Sequence, residues 1–540
     1  MKRILFVLVV ILVPIMFFAQ TQRWVYNYNG PANDVDYATS VLFGQDGNIY
    51  TAGYSWGTNT YADFIISSLT STGSQRWVYR YNRWNDYDEA YSLVWGGDGN
   101  LYAAGICNRV YGDFSILSVT PSGNPRWQYH YDGPASYADK ANDVVYGADG
   151  NIYACGYSNG INTSDDFTVI SLDTAGTSRW VYRYNGAANT YDEARSIVYG
   201  NDGNIYVAGF TGDTTYWRDL TVVSLTTSGT QRWIYTYDGN SHMFGEANSL
   251  VWGNDGNLYV AGSSLNSGSG QDFTVLSITP AGNERWVYST HGTAVDLDKA
   301  YKIVYGADGN IYAAGYLTNI TTYNDIAVVS LTNSGALRWV YNRTDYGVEY
   351  ANSLCYGSDG NIYACGRLYQ GASGPDFSVV SLTPTGSQRW IYRYDGTANN
   401  TDDALAIVYG TDGNLYTAGT SVGATSSWDY TVISLNPALG IEQATENYKL
   451  GIDNFSVYPN PAKTFFTIRL PFVVGATSQS RQLGLGNPSH NILKMYDVSG
   501  KMIKEIRSKR QEVRVSLDGI KNGVYFVQAG NSSKKFIVTK

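Results

Sequence analysis

The sequence predicts an all-β protein, an eight-bladed β-propeller of four-stranded blades followed by a small C-terminal β-sandwich. Three observations carry this. A periodic Arg-Trp series has eight members, at Trp24, Trp77, Trp127, Trp180, Trp233, Trp286, Trp339 and Trp390. Asp-Gly-Asn recurs eight times, from Asp46, Asp98, Asp149, Asp202, Asp255, Asp308, Asp359 and Asp412, and both series step by 50–53 residues. The 540 residues include 58 glycines and 48 tyrosines, a composition of short strands and tight turns. Apolar residues make up 44%, enough for large cores, which excludes wholesale disorder.

Residues 1–19 read as a signal peptide. Lys2-Arg3 is the positive start, 4–18 the apolar run, and Ala19 the small residue before cleavage, leaving Gln20 first. The run contains Pro14 and falls short of the roughly 20 residues that a spanning helix needs. No later segment is apolar enough to span, so no transmembrane segment is expected in the mature chain. No cysteine follows the cleavage point, so no lipid anchor is expected there.

The propeller is expected over 20–436. Unit four shows its strands: 194–199, a turn at Asp202-Gly203, 204–209, then 219–225, a turn at Gly229, and 232–237. Asp-Gly suits the positive φ of a hairpin turn. Trp233, Tyr235 and Tyr237 share one face by the period of two. Four strands in about 50 residues is the arithmetic of a propeller blade. A third-strand aspartate recurs at Asp63, Asp113, Asp166, Asp219, Asp272, Asp325, Asp376 and Asp429. The first Arg-Trp strand precedes every other strand, and the last unit has no Arg-Trp strand after Asp429. Residues 23–28 are therefore expected to complete blade eight and so to remove the open sheet edges.

The spacings separate framework from variable surface. The first-strand position, Asp36 and its equivalents, precedes Asp-Gly-Asn by 10 residues in all eight units, and the second-strand glycine follows by 7. The third-strand aspartate precedes tryptophan by 14. Only the fourth-to-first and second-to-third connections change length. Both lie on one face of the disc, where function on a rigid scaffold tends to sit.

These units resemble the secreted bacterial β-propeller repeats that read Asp…Asp-Gly-Asn-(Ile/Leu)-Tyr-x-Ala-Gly…Asp-Phe, a likeness covering 21–436. A fainter likeness is to quinoprotein propellers, where a glycine stands four residues before a docking tryptophan, as Gly176 before Trp180. The aspartate of their fuller motif is replaced by Leu172, so no quinone is implied.

Candidate chemistry is sparse. Gly-x-Ser-x-Gly occurs at 53–57, 156–160 and 419–423, but its first glycine is the repeat's own strand-end glycine and no helix follows to make a nucleophile elbow. The four histidines, His130, His242, His291 and His490, neither recur nor show ligand spacing, so no histidine-based metal site or triad is expected. The first strands open with Asp36, Asp88, Asp139, Asp192, Asp298, Glu349 and Asp402, while unit five has Gly245-Glu246. A ring of carboxylates at a pore suits Ca²⁺. Recurrence once per blade favours instead an acceptor for backbone N–H groups in each turn, so no cofactor is expected. Cys155, Cys355 and Cys365 occupy small packing positions, Cys355 and Cys365 lie on adjacent strands where they can pair, and Cys107 falls in a variable loop.

Residues 437–451 read as a linker, and 452–540 as the C-terminal sandwich. Tyr458-Pro459-Asn460-Pro461, Gly500, Gly523, Tyr525 and Lys534-Lys535 are its landmarks. They resemble the type A C-terminal sorting domain of type IX secretion substrates. That likeness implies export across an outer membrane, recognition by the type IX secretion machinery, and a cell-surface or extracellular address. The long polar stretch 475–490 departs from the usual pattern.

Residues 1–440 carry 39 acidic and 22 basic side chains, a net of −17, and residues 441–540 a net of +8. Past the signal peptide, only Lys140, Lys299 and Lys302 occur before residue 441. An acidic surface repels phosphate backbones, so nucleic acid is not an expected partner. The expected function is a non-catalytic binding or adhesion module for glycan or protein. A secreted propeller hydrolase or lyase acting on polysaccharide, and a structural surface-layer component, are the alternatives. An enzyme requires a non-repeating cluster of Asp, Glu, His or Arg at the channel mouth, and none is evident in the sequence. Ligand contacts are expected from aromatic residues of the variable face: Tyr54, Trp56, Tyr111, Tyr157, Trp217, Tyr316, Tyr369 and Trp428 on the second-to-third loops, and Trp84 on the other connection.

Overall fold

The computed structural model describes residues 20–108, 112–214, 217–343, 347–369, 374–439, 456–458, 463–469, 491–497, 502–508, 512–529 and 532–539. The signal peptide, Tyr111, Pro459, Asn460, Pro461 and Gly500 lie outside them. Gln22–Ala438 forms one compact unit, and the chain from Leu439 belongs to a second.

The first unit is an eight-bladed propeller. Seven consecutive four-strand groups make antiparallel sheets in sequence order. In blade four these are Glu193–Tyr199, Ile205–Gly212, Arg218–Leu225 and Gln231–Tyr237. Blade five adds a two-residue strand, Asp296–Leu297, parallel to its third. The eighth sheet contains Asp403–Tyr409, Leu415–Val422 and Trp428–Leu439, and its outer strand is the N-terminal Gln20–Tyr28. First strands are innermost: each packs against the first strands of both neighbours, and that of blade eight packs against that of blade one.

One hydrogen-bond set, repeated in all eight blades, explains why these residues make a blade. The arginine of Arg-Trp donates to the second-strand tyrosine hydroxyl and the third-strand serine, as Arg232 Nη1 does to Tyr206 Oη at 3.0 Å and Ser224 Oγ at 2.8 Å. Arg23 does the same for blade eight, reaching Tyr416 Oη at 3.2 Å and Ser434 Oγ at 2.7 Å. The tyrosine hydroxyl donates in turn to the Asp-Gly-Asn aspartate, 2.6 Å from Tyr206 to Asp202. The tryptophans staple successive blades. Trp180 Nε1 donates to Thr227 O at 3.0 Å, and its ring lies under Gly229, whose φ of +83° and lack of a Cβ both suit the turn. Trp390 departs from this pattern: it is the one fully buried member, and its Nε1 has no hydrogen-bond partner. Between blades, apolar faces of adjacent sheets form the cores, such as Tyr206, Leu220, Leu250 and Leu276.

The second unit has a three-stranded sheet and a four-stranded sheet, with Phe466, Ile468, Met495, Val515 and Val527 in its core. Tyr525 is buried there and donates its hydroxyl to Lys521 O at 2.9 Å, so this sorting landmark packs its own module. Gly523 opens the strand Gly523–Ala529, which pairs with the strand Ser532–Val538 carrying Lys534 and Lys535. Tyr458 ends the strand Ser456–Tyr458.

Candidate functional site

The carboxylates that open the first strands act as turn acceptors. Asp192 takes the N–H of Gly186 and of Gly212, both at 2.6 Å, and so ties the fourth-to-first loop to the end of the second strand. Asp139 and Asp402 repeat this with Gly133 and Asn159, and with Gly396 and Val422. Asp36, Asp88 and Asp298 take equivalent bonds, and Glu349 accepts from Tyr369 N at 3.2 Å beside Arg343. In unit five, Phe244 O accepts the equivalent bond from Leu265 N at 2.7 Å, so Gly245 needs no side chain. Glu246 therefore belongs to the next position, not to this ring. Burial pushes the carboxyls of Asp88, Asp139, Asp192, Asp298 and Asp402 up to about 7, against the pull of those backbone bonds. Asp376, Asp395 and Asp402 bring oxygens within 4.8 Å of one another. Thr, Asn and Ser side chains satisfy several of the third-strand aspartates, as Thr322 and Asn319 do for Asp325.

One residue further along each first strand, the repetition stops. That position holds Tyr37, Glu89, Lys140, Glu193, Glu246, Lys299, Tyr350 and Asp403. The cluster absent from the sequence reading is here, at the variable-face mouth of the channel, because the ring of inner strands collects one such residue from every blade. All three lysines of the propeller are on these strands. A chain of ion pairs crosses blades four to six. Arg195 reaches Glu193 at 3.2 Å and Glu246 at 3.1 Å, and Lys299 Nζ reaches Glu246 at 2.5 Å. Burial acts to raise the Glu246 carboxyl, but these two cations outweigh it and hold it below its ordinary value. Lys140 lies 3.9 Å over the Tyr91 ring. Asp143, half-buried, accepts from Ser92 Oγ at 2.7 Å and Ile197 N at 3.1 Å, and so bridges three blades. Lys302 of blade six is exposed and lowers the Asp143 carboxyl from across the ring, though burial keeps it raised.

The opposite sector is aromatic. Tyr37 stacks on Tyr54 at 5.1 Å and meets Trp428 edge-on at 5.6 Å. Tyr316 lies 5.8 Å from Tyr301 and 5.0 Å from Tyr350, and Arg367 sits 4.5 Å over Tyr350. Asp403 accepts from Asn352 Nδ2 at 2.7 Å, and burial pushes its carboxyl up to about 6 against the pull of Arg367.

The nine aromatic candidates thus divide. Tyr54, Tyr157 and Tyr316 are not on loops; they are strand residues opposite Tyr37, Lys140 and Lys299, one rung into the channel mouth. The strands run past the repeat glycine, which shortens the loops. Trp56 and Tyr369 end second strands and Trp428 begins a third. Trp56 packs edge-on against Tyr61 and Tyr87, which stack at 4.7 Å. Trp84 and Trp217 are exposed, at 68% and 42%, and Trp84 holds the Arg83 guanidinium 3.9 Å over its ring. Sequence reasoning missed Tyr61, Tyr87, Arg367 and the inner-strand ions. The placement of the three lysines was the available signal.

The other motifs are structural. Ser55, Ser158 and Ser421 lie buried on strands, bonded to Arg80, Thr168 and Thr431. His130 sits between Tyr81 Oη at 2.9 Å and Ser115 Oγ at 2.8 Å, and burial drops it to about 4. All four cysteines are free. Cys355 faces Tyr363 and Cys365 faces Ser353, a diagonal relation too wide for a disulfide. Cys107 is not in a loop; it ends a strand and is buried.

Residues 456–540 match the secretion system C-terminal sorting domain. The chain carries a type IX secretion sorting module, which indicates export to the cell surface or secretion. Among the described residues no helix is long and apolar enough to cross a membrane. No curated protein matches the chain. Among solved structures, it is similar to PorZ, a bacterial surface component of the type IX secretion system of Porphyromonas gingivalis, at 14% identity and a TM-score of 0.38. That match covers 92% of this chain and 64% of PorZ, so the chain spans under two thirds of PorZ's length. A europium-containing methanol dehydrogenase matches at 9% identity and a TM-score of 0.47, covering 77% and 93% of the two chains. A protein of unknown function from Dyadobacter fermentans matches at 9% and 0.35, covering 78% and 97%. At these scores the likenesses carry no functional information.

Proposed function

We propose that the propeller is a non-catalytic binding or adhesion module that holds a glycan on its variable face, centred on the channel mouth, and is delivered outside the cell by its sorting domain. One observation carries this reading. Among the described residues, the exposed large apolar and aromatic side chains sit on the variable-face connections or at their edges, except Val181, Leu337 and Val340 on fourth strands. Exposed rings interleaved with amides and hydroxyls suit sugars, which stack by one face and hydrogen-bond around the rim. The mature chain should retain a polysaccharide in affinity electrophoresis. Trp84→Ala and Trp217→Ala should weaken retention at least tenfold, with Asn204→Ala on the fixed face unchanged. Loss confined to Asn204→Ala, with folding intact, would reverse the assignment.

The charged mouth favours a second reading, a polysaccharide hydrolase or lyase. Asp403, raised to about 6 by burial at the mouth, is the carboxyl suited to proton donation. Release of new reducing ends or unsaturated sugars by the mature chain, abolished in Asp403→Asn, would establish it over the binding module.

A further inference from the structure

Arg367 stands apart from Arg195 and Lys299, the ion-paired cations of the channel mouth. It occupies the strand-two rung where the other blades place Tyr54, Ile106, Tyr157, Phe210, Ser263, Tyr316 and Thr420. It is the one charged residue at that rung. Its neighbours on the ring are spoken for: Arg195 bonds Glu193, Glu246 and Asn248, and Lys299 bonds Glu246. Arg367 has no such set. Its guanidinium lies on the Tyr350 ring, its Nε is buried with no hydrogen-bond partner, and among the described residues no carboxylate forms an ion pair with it. Asp403 is the acid it senses, yet that carboxylate is bonded to Asn352 instead. A half-buried guanidinium with an unmet Nε–H is costly, and a planar two-oxygen acceptor suits the fork geometry that arginine presents.

Around it stand two part-exposed aromatic groups suited to a sugar ring. Tyr301 and Tyr350 flank the buried Tyr316, which packs against both beside Arg367, and Tyr37 senses the guanidinium from the neighbouring sector. Burial raises the hydroxyls of Tyr37, Tyr301 and Tyr316, so they stay neutral and able to donate. The blades four-to-six ion pairs offer no comparable free donor. The acidic remainder of the domain repels a dense polyanion, which narrows the ligand to one whose acidic groups are isolated among neutral sugars.

Resting on the glycan reading above, we propose that Arg367, with Tyr301 and Tyr350 held in place by the buried Tyr316, forms a subsite for a carboxylate-bearing sugar residue within an otherwise neutral glycan. The oxyanions sugars carry are carboxylates, sulfate esters and phosphate esters; among these the planar two-oxygen carboxylate, with the least charge to set against the acidic domain, is the one the fork favours here.

The test uses the full mature chain and an array of uronate-bearing oligosaccharides, each printed beside its carboxyl-reduced counterpart and a sulfated counterpart. Wild type should prefer the uronate form over the reduced form by at least tenfold. Arg367→Gln should erase that preference. Arg367→Lys, which keeps charge and stem but not the fork, should lose most of it. A melting temperature within a few degrees of wild type for either variant certifies the comparison, and Tyr350→Phe provides a milder variant that keeps the stacked ring. Equal binding of uronate and reduced forms, a preference that survives Arg367→Gln, or a stronger response to the sulfated series would each overturn the proposal while sparing the glycan reading. Retention of no saccharide at all would overturn both.

Discussion

The two faces of the disc use the same residue, aspartate, at opposite ends of the same strands and to opposite effect. On the fixed face, each Asp-Gly-Asn aspartate is partly solvated and well bonded. Asp46 accepts from Asn48 N at 3.1 Å, Asn48 Nδ2 at 2.8 Å and Tyr50 Oη at 2.7 Å, with Arg76 nearby. Burial acts to raise the carboxyls of Asp46, Asp98, Asp308 and Asp412, but these donors outweigh it and hold them low. On the variable face, Asp88, Asp139, Asp192, Asp298 and Asp402 are fully buried, and desolvation wins over two backbone bonds. The fixed face also closes with a hollow lined by Gly97, Tyr146, Gly147, Tyr199 and Asn201, without a charged side chain, while the variable face gathers the inner-strand ions. The difference teaches that repetition holds the ring together and departure from repetition equips one mouth of it.

The largest break expected is at the seam. Removing 20–28 strips blade eight of its outer strand, the Arg23 bonds and the Trp24 Nε1 bond to Ser71 O at 3.1 Å. The exposed edge invites intermolecular pairing. We expect a loss of more than about 5 kcal/mol, or outright aggregation, since truncation of one large aromatic alone costs about 3–5 kcal/mol. An unchanged melting temperature would show that the strand does not hold the ring.

Next in size is the staple. Gly229→Ala places a Cβ 2.7 Å from the Trp180 ring in a left-handed backbone, whereas Gly256→Ala shares the positive φ but meets nothing within 4 Å. The conformational strain common to both is about 1–3 kcal/mol. Thermal melts should therefore place Gly229→Ala below Gly256→Ala; equal losses would mean that the tryptophan contact contributes nothing.

How much of this was legible in sequence follows the same division. Blade number, strand order, the Asp-Gly-Asn turns and the N-terminal strand in blade eight are all carried by residues that repeat, and self-comparison finds repeats. The channel mouth is carried by residues that do not. Tyr37, Lys140, Glu193 and Asp403 share a position, yet no common chemistry marks it, and only the ring brings them together. Arg367 and Tyr350 are 17 residues apart on paired strands, a juxtaposition visible only once the hairpin register is known. Trp390 illustrates the reverse: it repeats in sequence but is buried differently, because the chain beyond Leu435 replaces the turn its seven equivalents dock upon.

A smaller effect distinguishes the faces by pH. The buried carboxyls at about 7 have folded values above their unfolded ones, so the folded state binds protons more tightly and stability falls as pH rises from about 4 through 7. The fixed-face carboxyls are held below 3.8, so their contribution is present above that value and lost as pH falls through it. The optimum should lie between about pH 4 and 6. Calorimetry at constant ionic strength should find a melting temperature a few degrees higher at pH 5 than at pH 8; a flat profile would mean that backbone donors, not burial, govern the ring.

The smallest effect on stability belongs to the variable-face rings, and its smallness is the informative part. Trp217 is 42% exposed, and Trp84 is 68% exposed at a φ of +62° that costs strain in the folded chain. Replacing either removes little buried surface, and exposed substitutions away from caps and cores usually stay within about 0.5 kcal/mol. Trp84→Gly should even be neutral to slightly stabilising, because glycine relaxes the positive φ while forfeiting only the Arg83 stack. A framework tryptophan gives the opposite contrast: Trp180→Ala removes a ring wedged against Gly229 and a bond to Thr227, and should cost several times more. If Trp84→Gly and Trp217→Ala destabilised the propeller as strongly as Trp180→Ala, those rings would be part of the scaffold, and the division between a face that holds and a face that binds would fail.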